Sequence, residues 1–444
     1  MSDTTDTNDA GATTTKEWYG WYVVFVLILA YTVSYVDRTI LTLMVKPIRE
    51  SLQISDTQVS LLHGLAFAIF YTGLGIPLGR MADRMNRTRI IMGGIVIWSL
   101  MTATCGLARN FGQLFLARVG VGVGEAALTP SAYSILSDYF KGPRLTRALS
   151  IYTSAIYIGA GLALIIGGAV IAAVPALDIP GLGHFQPWQV VFLCVGLPGL
   201  LVALLMLTVR EPARTGLSPA AAAGQGIPLR DVVAFLWQRR GAYGFLILGC
   251  AAHSMLWNGA TAWIPQFFIR VFEWSAPVTG FRFGLMLLVF GTGGILFGSV
   301  VSNYFRQRFS DANVMVVLAS ALLVIPFGVL APSLTDPVYS MIAFCAFVFT
   351  GSLPYGAAAA AFQEITPNQM RGQVVAVYFL FLNLAGIGLG PTIVALFTDH
   401  VFHDDLAVGK SLMMLALIAA PLSAVLLWAA RRPYRKCLAD MNLA

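Results

Sequence analysis

The sequence predicts an all-α integral membrane protein of twelve transmembrane helices in two six-helix bundles. Three observations carry the prediction: long apolar runs separated by short polar ones, a lopsided distribution of lysine and arginine, and an echo between the two halves of the chain. Of the 444 residues, 57% are hydrophobic and 11% charged, where a soluble domain carries about 25% charged residues. The mean hydropathy is +0.76. The net charge of +7 therefore bears on where basic residues sit relative to a bilayer, and no nucleic-acid partner is expected. Five cysteines, at 105, 194, 250, 345 and 437, have neither pairing number nor metal-ligand spacing, so no disulfide framework, metal or cofactor is expected.

The first eighteen residues are polar and acidic, unlike the basic start of a cleaved signal peptide, and are expected to form a disordered tail. The first apolar run, about Trp21 to Val45, exceeds the ~20 residues needed to cross a bilayer. After a loop at Ser51 to Asp56, capped by Ser55 or Asp56, span 2 covers about Thr57 to Gly79. Spans 3 to 6 follow at about 90–108, 113–137, 147–173 and 188–209. Residues 210–240, rich in Pro, Ala, Gly and Arg, read as a linker. Spans 7 to 12 are expected at about 242–272, 278–301, 312–331, 338–362, 373–399 and 411–430. The domains are then a tail at 1–18, bundles at 19–209 and 241–431 around the linker, and a second tail at 432–444. Glycines 159, 161, 167 and 168 in span 5, with 386, 388 and 390 in span 11, suggest close helix packing.

Placing both termini in the cytoplasm puts twenty of the 28 Lys and Arg residues on the cytoplasmic side and six outside, with Arg38 and Arg118 inside the membrane. That asymmetry fixes the expected orientation, in a cell inner (plasma) membrane.

Charges within spans are costly, at about 2.5 to 3.5 kcal/mol each on insertion scales, so they face a protein interior or a water cavity. Span 1 carries Tyr35-Val36-Asp37-Arg38. Span 4 carries Arg118, Gly122, Glu125 and Thr129 on one stripe at i, i+4, i+7 and i+11. Arg118 and Glu125 lie about 10 Å apart along the axis, too far for a simple intrahelical pair. Asp37 with Arg118 and Arg38 with Glu125 are the expected pairs. An arginine that alternates between a carboxylate and an anionic substrate changes the carboxylate's affinity for a proton. Asp37 and Glu125 are therefore the candidate proton carriers, and Arg38 and Arg118, with Tyr35 and Thr129 beside them, the candidate anion site. A fixed ion network is the alternative. The second half offers His253, Asn258, Tyr355 and Asn383 among apolar residues, a suitable wall for a lipid tail, although a lone membrane histidine is more often a packing residue.

The two halves match in register. Gly79-x-x-x-Asp83-Arg84-x-x-Arg87-x-Arg89 between spans 2 and 3 has a degenerate partner, Gly298-x-x-x-Ser302-Asn303-x-x-Arg306-x-Arg308, between spans 8 and 9, and Arg147 opening span 5 matches Arg371 opening span 11. The first of these resembles the cytoplasmic loop motif of the major facilitator superfamily, with Asn86 where glycine is usual, and Arg118-Val119-Gly120-Val121-Gly122-Val123-Gly124 resembles its span 4 motif. Asn tolerates left-handed backbone better than most residues, so that conformation is expected there. The Tyr35 to Arg38 and Gly122 to Ala126 motifs, with Arg118, resemble more narrowly the spinster family of lysolipid transporters, in a bacterial form. The resemblance implies export or flipping of lysophospholipid or sphingoid-phosphate amphiphiles, proton-driven in some members. It also implies that Asp83, Arg84, Arg87 and Arg147 form a conformational latch, although the arginines could simply hold their loop inside.

No soluble catalytic domain and no GxxxxGK[ST] phosphate loop is present, so no catalytic residue and no direct ATP drive are expected. Secondary transport of an anionic amphiphile, with protons and membrane lipids as further partners and a monomer as the working unit, fits best. The rival substrate is a small organic anion; a membrane-embedded lipid enzyme would not need two matched halves.

Overall fold

A computed structural model describes residues 8–140, 143–179, 183–213, 228–367 and 370–442. Among the described residues, twelve long helices make up the molecule. They are α1 (Trp18–Leu43), α2 (Asp56–Gly75), α3 (Arg87–Cys105), α4 (Phe111–Tyr139), α5 (Arg147–Ala173), α6 (Pro187–Met206), α7 (Arg240–Val271), α8 (Ala276–Arg306), α9 (Ala312–Ser333), α10 (Pro337–Glu364), α11 (Arg371–Phe402) and α12 (Asp405–Met441). Eleven are long and apolar enough to span a membrane by composition. The twelfth, α7, runs for 32 residues. Its interior holds His253, Trp257, Asn258 and Gln266 and its last turn Arg270, which lower its mean hydropathy. The helix of α1 continues back to Asn8, and most of the expected linker, 214–227, lies outside the described residues. A hairpin of β1 (Leu177–Ile179) and β2 (Gly183–Phe185), paired Leu177 to Phe185, joins α5 to α6.

Local signals set the helix ends. Ser55 caps α2 through a reciprocal box, its hydroxyl accepting from the Gln58 amide at 3.2 Å while its own amide donates to the Gln58 side chain at 3.0 Å. Asn86, at the glycine position of the loop motif, is not left-handed. Its backbone is extended (φ −65°) and its side chain caps α3 by accepting from the Arg89 amide at 2.9 Å. Mid-membrane, α4 breaks between Glu125 and Leu128, because Pro130 has no N–H and its ring displaces the carbonyl of Ala126.

Packing forks along the membrane normal. Near the face away from the chain ends, here the far face, a single apolar core joins both halves, with Ile40, Leu43 and Leu164 against Trp257, Trp263 and Phe283. Toward the face that holds the chain ends, the terminal face, two separate cores continue. One is built on Val23, Trp98 and Tyr152, the other on Tyr243, Phe362 and Tyr434. Glycine makes the join possible. A Cβ on Gly161 of α5 would stand 2.6 Å from the Gly284 carbonyl of α8, and one on Gly284 would stand 2.5 Å from the Gly161 carbonyl, so the two backbones touch directly.

Each half is tied at the terminal face by its own ion network. In the first, buried Arg87 donates to Asp138 at 2.5 Å, Glu211 at 2.6 Å and Ser134 at 2.8 Å. In the second, fully buried Asp311 accepts from Arg431 at 2.7 Å and lies 3.0 Å from Arg435, pinning the start of α9 to the end of α12. Burial pushes the Asp311 carboxyl up, but the hydrogen bonds and charges of the two arginines outweigh it and hold the group below its ordinary range. A depressed carboxyl stabilises the fold above its unfolded pKa and loses that contribution as pH falls through the folded one. Asp311→Asn should therefore lower stability at neutral pH, by up to about 3 kcal/mol. The gap to the parent should narrow as acid protonates Asp311 in the parent, which thermal unfolding in detergent across pH would read.

Candidate functional site

Between the two terminal-face cores, and roofed by the shared one, lies a cavity of about 870 Å³ including its open part. Its wall combines α1 (Tyr35, Arg38, Thr39, Thr42), α2 (His63, Phe67), α5 (Tyr157, Leu164), α7 (Trp257, Asn258, Thr261), α8 (Phe283, Leu287) and α10 (Tyr355). Most of that surface is aromatic or aliphatic. The polar groups gather on α1, α2 and α7.

The cavity's cation is Arg38. Its Nε and one terminal nitrogen both contact Glu125 Oε2, which also accepts from Ser34 at 2.7 Å. Three rings surround the guanidinium, with centroids 4.3 Å (Phe67), 5.0 Å (Tyr71) and 5.3 Å (Tyr35) from Cζ, the geometry of cation–π attraction. Glu125 is fully buried, at the break in α4, whereas Arg38 keeps 15% of its side chain exposed to the cavity. The expected Arg38–Glu125 pair therefore forms, with its arginine facing the space.

The other expected pair does not form between side chains. Arg118, almost fully buried, donates to the main-chain carbonyl of Asp37 at 2.8 Å and to that of Leu62 at 3.3 Å. The Leu62 carbonyl lies in a π-turn, Leu61–Leu65, where the widened helix interrupts the ordinary ladder. Arg118 thus clamps α1 to α2 behind the cavity wall. Asp37 is 0% exposed, and the one hydroxyl that faces its carboxylate as a donor among the described residues is that of Thr102, short of full hydrogen-bond geometry. Glu125, Arg118 and Arg38 are its charged neighbours.

Of the residues singled out in the sequence, Tyr35, Arg38, Asn258 and Tyr355 line the cavity. Thr129 stands behind it, 3.4 Å from the Tyr71 hydroxyl. His253 is a packing residue, its Nε2 3.0 Å from the Gly351 carbonyl of α10, and Asn383 of α11 is half-buried off the cavity wall. Arg87 belongs to the network within its own half, Arg147 is exposed, and the side chains of Asp83 and Arg84 lie outside the described residues. Sequence reasoning missed His63, Tyr157 and Trp257. His63 had a usable signal, as a lone imidazole inside a span. Tyr157 and Trp257 had none, because they meet only across the two halves, with ring centroids 5.9 Å apart.

A membrane protein of two matched six-helix halves, with a central cavity roofed at one end, is a secondary transporter rather than an enzyme. The chain belongs to the Major Facilitator Superfamily, whose family model matches residues 27–391. It is 29% identical over 422 residues to an MFS-type efflux pump of Mycolicibacterium smegmatis, covering 94% of each chain. It is 26% identical over 435 residues to protein spinster homolog 1 of Rattus norvegicus, covering 90% of this chain and 79% of that one. Among solved structures it is similar to a bacterial homolog of the human lysosomal transporter Spinster, in an inward-facing and unoccupied conformation. That likeness has a TM-score of 0.80 and 27% identity, over 94% of this chain and 98% of that one.

Removing one member of a buried pair strands the other charge, whereas replacing both with apolar groups is tolerated. Glu125→Ala should cost about 3 kcal/mol of stability. An Arg38→Met and Glu125→Leu double variant should recover most of it, as thermal unfolding in detergent would show, yet remain inactive in transport. A fully active double variant would make the pair purely structural.

Proposed function

We propose that the transporter moves an anionic single-chain lipid, of the lysophospholipid or sphingoid-phosphate kind, by alternating access coupled to protons. It works as a monomer in the inner membrane with both termini cytoplasmic. The observation that carries this reading is the position of Arg38, a cation at the wall of a mostly apolar cavity whose counterion, Glu125, is wholly buried. A proton on Glu125 cancels the pair and frees the guanidinium for a phosphate oxygen. The acyl chain then lies along Tyr157, Trp257, Phe283 and Leu287. Proton and anion bind together in this scheme, so substrate affinity rises as pH falls. Asp37, wholly buried with no side-chain ion pair, is the second proton carrier, and Arg118 keeps the two helices in register around it. The similarity to spinster proteins agrees with the family resemblance of the span 1 and span 4 motifs, which implies this substrate class. The basic loops at the terminal face support the orientation.

A small organic anion is the second reading, favoured by the polar strip of Thr39, Thr42, Asn258 and Thr261 on the same wall. Binding of lysophosphatidylglycerol against soluble dicarboxylates, measured on the purified protein in nanodiscs, separates the two. In proteoliposomes with an imposed pH gradient, Glu125→Gln and Asp37→Asn should abolish proton-driven accumulation, with binding to Glu125→Gln now independent of pH. Arg38→Ala should weaken binding at least tenfold, about 1.4 kcal/mol. Unchanged proton dependence in both carboxylate variants would overturn the coupling scheme.

A further inference from the structure

His63 is a polar residue of the cavity wall that the transport scheme leaves unused. It sits in the middle of the π-turn Leu61–Leu65 of α2, where the widened helix re-aims the side chains it carries, a distortion frequent at functional sites. Gly64 beside it lies so close to α11 that a Cβ there would stand 2.4 Å from the Ile387 carbonyl, so the turn is held from behind. His63 and Phe67, one turn apart, both line the cavity. Phe67 carries the Arg38 guanidinium on its ring, 4.3 Å from centroid to Cζ. The imidazole therefore stands one helical turn from the proposed phosphate site. Its hydrogen-bonding capacity is unspent. Nδ1 is enclosed without a partner among the described residues, so no hydrogen bond there fixes which nitrogen holds the proton, and the other edge of the ring faces the cavity. The polar groups nearby are already engaged. The hydroxyls of Thr39, Thr42 and Thr261 donate to carbonyls of their own helices at 2.7, 2.7 and 2.9 Å, and the Asn258 amide donates to the Ser254 carbonyl at 2.9 Å. The charged neighbours of His63, Arg118 and Arg38, are both cations.

We propose that His63 is a specificity-determining residue that reads the carbon next to the phosphate ester, accepting a lipid with a hydroxyl there and rejecting one with an ammonium. The inference rests on the lipid reading above and narrows it, from anionic single-chain lipids in general to those built on glycerol. A hydroxyl both donates and accepts, so either tautomer of the imidazole can meet it. An ammonium only donates, and it brings a third positive charge beside two guanidiniums. A lysophospholipid presents a hydroxyl at that carbon, and a sphingoid phosphate presents an ammonium.

The test compares three ligands on the purified protein in phosphatidylcholine nanodiscs: oleoyl lysophosphatidic acid, its analogue lacking the free hydroxyl, and sphingosine phosphate. The parent should bind the first about tenfold more tightly than the second, the difference one hydrogen bond makes, and the third more weakly than either. In His63→Leu the ratio between the first and second should fall to about one. A merely structural role would weaken both and leave their ratio alone. His63→Gln, whose amide also donates and accepts, should keep most of the preference. Should His63→Leu fail to fold, His63→Phe, which keeps a ring, takes its place. Equal binding of all three to the parent, or an undiminished preference in the folded variant, would overturn the assignment and leave the lipid reading standing. Binding of none of them to the parent would overturn the lipid reading, and this inference with it.

Discussion

A charge inside a bilayer has to be met by another charge or by fixed dipoles, and the first half of this protein is built around meeting four of them. Arg38 and Glu125 neutralise each other at the cavity wall. Arg118 is satisfied by two main-chain carbonyls, one of them in a π-turn of α2. Asp37 is left with charged neighbours and the Thr102 hydroxyl, and with no ion pair of its own. The four residues are thus unequal: one faces the cavity, one shares its charge from behind, one is a clamp and one is a buried carboxyl with no ion pair.

The second constraint is that the two halves must touch at one end and part at the other. Glycines 161 and 284 let α5 and α8 meet backbone to backbone, and Gly64 of α2 is pressed against the Ile387 carbonyl of α11, where both helices widen into π-turns. These contacts and the apolar core above the cavity make the roof. Near the terminal face each half has its own core and its own arginine-centred network, Arg87 in one and Asp311 with Arg431 in the other. Each bundle can then move as a unit. The energy that holds a bundle together is spent within it, and the energy that holds the bundles to each other is concentrated at the far face.

The aromatic residues connect these two constraints. Tyr157 of the first half packs edge-on against Trp257 and Tyr355 of the second, with centroids 5.9 and 5.5 Å away, while Tyr35, Phe67 and Tyr71 shield Arg38. The cavity is consequently polar at one patch and apolar elsewhere.

The sequence by itself determined the class, the number of helices and the location of the expensive charges, because hydropathy and insertion cost depend on local composition. It also placed Glu125 opposite Arg38, since i, i+4, i+7 spacing defines a stripe before any partner is known. Tertiary structure decided which donors those charges use. Arg118 found carbonyls instead of the Asp37 carboxylate because a π-turn and helix packing set distances that spacing cannot encode. His253 and Asn383, plausible as polar residues in spans, are not among the residues that line the cavity, and Asp56, legible only as a helix start, became the centre of an ion cluster with residues more than 200 positions away. Such pairings follow from how two halves dock, and docking is a property of surfaces that form only after each bundle has folded.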